Sequence, residues 1–178
     1  MTNIVITASG LADVCDAGDA ALRGIFLHNA HGSITNVDVH GVRQGRSGCE
    51  EGNAIEVSNV GGTTEQHVSI TGNTVSDYQK SAITVKGNVA AVVGGNVVTG
   101  DGPIDNIAQN GIQVSSGATA DVSSNTISGN NYTPKAYVAC GLLAFDAGGL
   151  HQSKNVFSGN EIDFCNAGRG GGKYSPEA

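Results

Sequence analysis

Gly24-Ile25-Phe26-Leu27-His28-Asn29 returns along the chain in altered form. It recurs as Ala54-Ile55-Glu56-Val57-Ser58-Asn59, Ala82-Ile83-Thr84-Val85-Lys86-Gly87, Gly111-Ile112-Gln113-Val114-Ser115-Ser116 and Gly141-Leu142-Leu143-Ala144-Phe145-Asp146. Measured from Ile25, Ile55, Ile83, Ile112 and Leu142, the period is about 29 residues, within the range of solenoid repeats. A second phrase follows each of the first: Ser33-Ile34-Thr35-Asn36-Val37, Ser69-Ile70-Thr71-Gly72-Asn73, Val92-Val93-Gly94-Gly95-Asn96, Asp121-Val122-Ser123-Ser124-Asn125 and Val156-Phe157-Ser158-Gly159-Asn160. In both phrases apolar residues alternate with small polar ones, and β-branched residues dominate. That is the period of a strand with one buried face, not of a helix.

Each repeat therefore holds two or three short strands joined by Gly, Asn and Ser corners. One such coil cannot bury its own apolar face. Stacking coils about 4.8 Å apart lets each strand pair with its counterpart in the next coil. The rows Ile25/Ile55/Ile83/Ile112/Leu142 and Leu27/Val57/Val85/Val114/Ala144 then become internal ladders. Asn73, Asn96, Asn125 and Asn160 are expected to stack and bond from coil to coil. Val37 stands at that position in the first coil, where a differently built corner is expected.

The cadence Ile-x-Gly-Asn-x-Val followed by Gly-Ile-x-Val resembles the right-handed parallel β-helix repeat of the pectate-lyase-like superfamily. The stretches 48–57 and 108–114 are similar to secreted bacterial proteins of that repeat class. The resemblance covers residues 24–163 and rests on core and corner positions. It implies a fold, an all-β right-handed parallel β-helix of about five to six coils, without fixing an activity. The superfamily spans lyases, hydrolases, epimerases, tailspikes and adhesins.

Composition agrees. The chain has 178 residues, 39% hydrophobic and 4% aromatic, with 27 Gly and no Trp, as suits one thin solenoid with tight corners. Charged residues make up 14% and the net charge is −7, which argues against a nucleic-acid partner or an anionic membrane surface. No apolar run approaches the length of a membrane span. Met1-Thr2-Asn3-Ile4 has no leader-like pattern, and the chain is expected to be the mature part of a secreted or cell-surface protein.

Three segments are expected: an N-terminal strand and possible cap over 1–23, the β-helix over 24–166, and a flexible Gly-rich tail over 167–178. Ile4 and Ile6 read as a strand already under way, as in a piece of a longer solenoid. Residues 11–22 are expected to form a short helix or irregular cap.

The cysteines sharpen the compartment. Cys15 and Cys49 precede the first strands of neighbouring coils; Cys140 precedes the fifth, and Cys165 is placed in the following turn. Cys49 and Cys140 lie about three coils apart, roughly 14 Å, beyond disulfide reach. The expected bonds are Cys15–Cys49 and Cys140–Cys165, with buried free thiols as the alternative. Two such bonds suit an extracytoplasmic protein. No zinc or redox spacing is present, and no metal or cofactor is expected. Asp13, Asp16 and Asp19, and the turn pair Asp101 and Asp105, do not form an EF-hand loop.

In enzymes of the resembled family, chemistry sits on the outward face of the Gly-Ile-x-Val strands and the turns before them. Here the outward rows are Phe26/Glu56/Thr84/Gln113/Leu143 and His28/Ser58/Lys86/Ser115/Phe145. The turns 40–53, 76–81, 99–110 and 128–140 vary most and make a candidate rim. Glu56 and Lys86, with His28, are the candidate catalytic set for proton abstraction. A solvated Glu–Lys pair beside an exposed His is the plainer alternative. Arg43, Arg46, Tyr78 and Lys80 are candidates to grip a uronate carboxylate. Tyr132 and Tyr137 are candidates to stack on a sugar, and Gln113 to bond one. The other reading for the arginines is loop decoration.

The expected function is an extracellular carbohydrate-binding β-helix module, its partner a polysaccharide or cell-surface glycan. Two alternatives stay open. One is a lyase or epimerase acting on a uronate polymer. The other is a structural solenoid that self-associates end to end. Regular outward Thr rows, which ice binding would need, are missing from the two rows above.

Overall fold

The computed structural model describes residues 1–8, 11, 14, 15, 21–133, 136–168, 175 and 176. The repeated phrase forms the first of three parallel sheets. Its strands are Arg23–His28, Asn53–Asn59, Ser81–Gly87, Asn110–Ser115, Cys140–Phe145 and Ile162–Ala167, each paired with the next. Ile25, Ile55, Ile83, Ile112 and Leu142 are register partners, as are Leu27, Val57, Val85, Val114 and Ala144. The second phrase forms a sheet of Gly32–Thr35, Gln66–Thr71, Val89–Gly94, Thr119–Ser123 and Gly149–Ser153. The third sheet holds Val5–Thr7, Asp38–His40, Thr74–Ser76, Val97–Thr99, Thr126–Ser128 and Val156–Ser158. The chain is thus an all-β parallel β-helix of about six coils.

The core is a narrow column. Ile55, Ile70, Ile83, Val98, Ile112, Val122 and Ile127 are fully buried, supplied in turn by the three inward faces. Complete burial of one such side chain is worth about 1.5–3 kcal/mol. The position before each core Ile or Leu also faces inward, which explains why it is Gly or Ala. A Cβ on Gly111 would lie 2.6 Å from Ile127 Cγ2 and 2.4 Å from the Gly141 carbonyl oxygen.

The corner between the second and third sheets carries the asparagine ladder. Asn73 Nδ2 donates to Asn96 Oδ1, Asn96 Nδ2 to Asn125 Oδ1 and Asn125 Nδ2 to Asn155 Oδ1, each at 2.9 Å. Each of these amides also donates to a main-chain carbonyl of the preceding coil, namely Ile34, Ile70 and Val93. The last rung is Asn155, not Asn160, because Val156 pairs with Thr126. Asn160 belongs to a different corner, where its Oδ1 accepts from Asn130 Nδ2 at 3.1 Å.

The first corner is not built differently in its backbone. Asn36, Gly72, Gly95, Ser124 and Lys154 all take positive φ just before the ladder position. Val37 keeps that backbone and ends the ladder, its N–H donating to Asn73 Oδ1 at 2.9 Å.

Both disulfides are formed, Cys15–Cys49 and Cys140–Cys165, with Cα separations of 5.5 and 6.0 Å. Cys165 lies on the sixth strand of the first sheet instead of in a turn. Val5–Thr7 pairs with Asp38–His40, so the expected N-terminal strand belongs to a preceding partial coil. Most of the expected cap over 11–22 lies outside the described residues. So does most of the tail, of which Ser175–Pro176 runs antiparallel to Cys165 and Asn166.

Candidate functional site

The outward rows of the first sheet are those the alternation predicts. Phe26, Glu56, Thr84, Gln113 and Leu143 are register partners, and so are His28, Ser58, Lys86, Ser115 and Phe145. A third set of register partners, Arg23, Asn53, Ser81, Asn110 and Cys140, borders the loops.

Glu56 is the charged centre of this face. It is buried, with Lys86 Nζ 2.8 Å from Oε1, Arg23 Nε 2.9 Å from Oε2, and Asn53 Nδ2 donating to Oε2 at 2.7 Å. Burial pushes its pKa up. The hydrogen bonds from Lys86, Asn53 and Arg23, with the Lys86 charge, outweigh that and hold it below the ordinary glutamate value. The carboxylate is fixed in its ionised form. His28 joins neither partner; it stacks on Phe26 at 5.3 Å, and Phe26 in turn carries the Arg23 guanidinium 4.4 Å from its ring centre.

Farther along the face a groove opens between the strands and the loops. Glu50, Lys80, Asn110, Tyr137, Leu143 and Phe145 line it. Tyr137 is 73% exposed and Phe145 52% exposed. Tyr132 is buried beneath, its ring 6.5 Å from that of Tyr137. Lys80 Nζ lies 2.6 Å from Glu50 Oε2 and donates to the Ala108 carbonyl at 3.1 Å. Asn110 Nδ2 donates to Gln113 Oε1 at 3.5 Å, so Gln113 reaches the groove through Asn110.

The four residues proposed to grip a uronate are each engaged with other groups of the protein. Arg43 spans two neighbouring coils, 2.8 Å from Asp77 Oδ1 and paired with Asp101 as well. Arg46 is paired with Asp105. Tyr78 is a core residue, fully buried, its hydroxyl donating to Asn130 Oδ1 at 2.5 Å. Burial and the nearby Asp101 charge drive its pKa far up, with the Asn130 bond opposing. Burial also raises Asp101; Arg43 pulls it back and the Asp77 charge adds to the rise. These arginines tie successive loops together, a duty their sequence neighbours do not reveal because the partners lie up to 59 residues away.

Among the described residues, Cys15, Cys49 and Glu51 cluster closely enough for a metal, but the disulfide removes both thiolates. Asp101 and Asp105, considered above for calcium, are committed to arginines. Asp13, Asp16 and Asp19 lie outside the described residues.

Sequence reasoning missed Asn110, Leu143 and Phe145 as groove residues. Two of them stood in the outward rows, and their signal was an apolar pair at one end of a face that, Phe26 apart, is otherwise polar. Comparison with protein families, with curated proteins and with solved structures finds no significant match to this chain.

Proposed function

We propose that the chain is a secreted carbohydrate-binding β-helix module and that the groove beside Tyr137 holds the glycan. The observation that carries this reading is the pairing of the exposed Tyr137 and Phe145 rings with the Asn110 amide and the Lys80–Glu50 pair in one groove. A pyranose offers an apolar C–H face and a rim of hydroxyls. An aromatic wall meets the first, and amide and charged groups meet the second. The rigid parallel sheet fixes the spacing of these groups.

Two disulfides favour an oxidising compartment, which supports secretion. The repeat cadence and its parallel stacking support kinship with the pectate-lyase-like β-helices. Binding without turnover is favoured over a lyase or epimerase because Glu56, the carboxylate of the catalytic candidates, is a poor base. A general base works best with its pKa near the working pH, and Glu56 is held below even its ordinary value.

The test is affinity electrophoresis in gels containing neutral and acidic polysaccharides, with chain length followed in parallel. Retardation without depolymerisation, lost in Tyr137→Ala and in Phe145→Ala, is the expected result. A folded protein retarded by no polymer would overturn the reading. Depolymerisation lost in Glu56→Gln would replace it with an enzyme.

A further inference from the structure

We infer that the glycan taken by this groove is uncharged, and that a polyuronate is excluded; this rests on the carbohydrate-binding reading. Lys135, Arg169 and Lys173 lie outside the described residues; among the described ones, Arg23, Arg43, Arg46, Lys80 and Lys86 lie on or beside the first sheet. Each already holds a carboxylate: Glu56 for Arg23 and Lys86, Asp77 and Asp101 for Arg43, Asp105 for Arg46, Glu50 for Lys80. Lys154 sits at the corner between the second and third sheets. A uronate entering the groove meets Lys80 with Glu50 in front of it, on a chain of net charge −7. Displacing Glu50 trades one carboxylate for another and leaves Glu50 beside the incoming polyanion, so the exchange gains nothing.

The neutral groups tell the same story from the other side. Asn53 Oδ1, Ser81 Oγ and Thr84 Oγ1 are buried without a hydrogen-bond partner, and Ser81 and Thr84 are only 1% and 3% exposed. All three belong to outward positions of adjacent strands, with Asn53 and Ser81 in register and Asn110 next in that row. Successive members of the row stand about 4.8 Å apart along the solenoid axis. An amide oxygen needs a donor. A sugar hydroxyl or a water it orders supplies one, and a carboxylate does not. The Ser81 and Thr84 hydroxyls can donate as well as accept, so of the three the Asn53 oxygen is the one that favours a hydroxyl or water over a carboxylate.

The test compares retardation by a β-glucan, a mannan and a polygalacturonate at low and high salt. The expected result is retardation by a neutral polymer, unchanged by salt, at an affinity at least about tenfold above that for polygalacturonate. In Glu50→Gln, whose exposed position spares the fold, freed Lys80 is expected to confer polygalacturonate binding that fades with salt. Salt-sensitive binding of polygalacturonate by the unaltered protein, equal to or tighter than that of any neutral polymer, would overturn the inference and leave the carbohydrate reading standing. Retardation by no polymer would overturn both.

Discussion

Lys86 Nζ lies 2.8 Å from Glu56 Oε1 across two adjacent coils, and Arg23 approaches the same carboxylate from the coil on the other side. One buried anion thus ties three strands of the first sheet together. Glu56→Gln leaves two partly buried cations without their counter-charge. Loss of one member of a buried pair costs about 3–5 kcal/mol, and the partial exposure of Arg23 and Lys86 lowers the expectation to about 2 kcal/mol.

The same carboxylate gives a pH signature. Its folded pKa lies below its unfolded value, ordinarily near 4.5, so its stabilisation is complete above that pH. It is lost as pH falls through the folded value. Melting temperatures of the parent and Glu56→Gln, measured from pH 7 down to pH 3, are expected to converge on the acid side.

Asn96 is the interior rung of the ladder. Its Oδ1 accepts from both the backbone N–H and the Nδ2 of Asn73, and its Nδ2 donates to Asn125 Oδ1 and the Ile70 carbonyl. Asn96→Ala removes a bond from two donors and two acceptors. Asn73 Nδ2 keeps the Ile34 carbonyl and Asn125 Oδ1 keeps the Asn96 N–H, so the Asn73 N–H and the Ile70 carbonyl lose most, at about 1–3 kcal/mol each before relaxation. A fall in the urea midpoint equivalent to about 3 kcal/mol is expected. A change under 1 kcal/mol would show that water takes the place of the amide.

Tyr78→Phe removes the hydroxyl bonded to Asn130 inside the core. It is expected to cost about 1–2 kcal/mol in denaturant unfolding and to leave glycan retardation untouched. Tyr137→Ala is expected to do the reverse.

Non-reducing peptide mapping is expected to recover Cys15 linked to Cys49 and Cys140 linked to Cys165. Opening the second, which closes a separation of 25 residues, by Cys140→Ser with Cys165→Ser is expected to cost about 3 kcal/mol. Titratable free thiols in the unreduced protein would contradict the pairing.

The fold was legible because its determinants are local and periodic. Ile25, Ile55, Ile83, Ile112 and Leu142 announce their own register. The Asn160 assignment failed because Gly159-Asn160 copies the Gly72-Asn73 and Gly95-Asn96 dipeptides while serving another corner, opposite Gly129-Asn130. The true rung, Lys154-Asn155, lacks glycine. The site was less legible. Glu56 and Lys86 were adjacent by alternation, but Arg43 with Asp101 and Arg46 with Asp105 join long irregular turns whose paths no period dictates. Tyr78 was misplaced for the same reason, since a lone bridge to Val42 turns it inward.

The two cystines stitch the stack at its opposite ends, one at the first pair of coils and one at the last. A solenoid of nearest-neighbour contacts ordinarily frays from its termini like an unravelling rope. Each cystine binds two neighbouring coils, so that neither of the pair peels away without the other. The two bonded pairs of coils are therefore expected to let go as units, and reduction to return them to coil-by-coil unwinding.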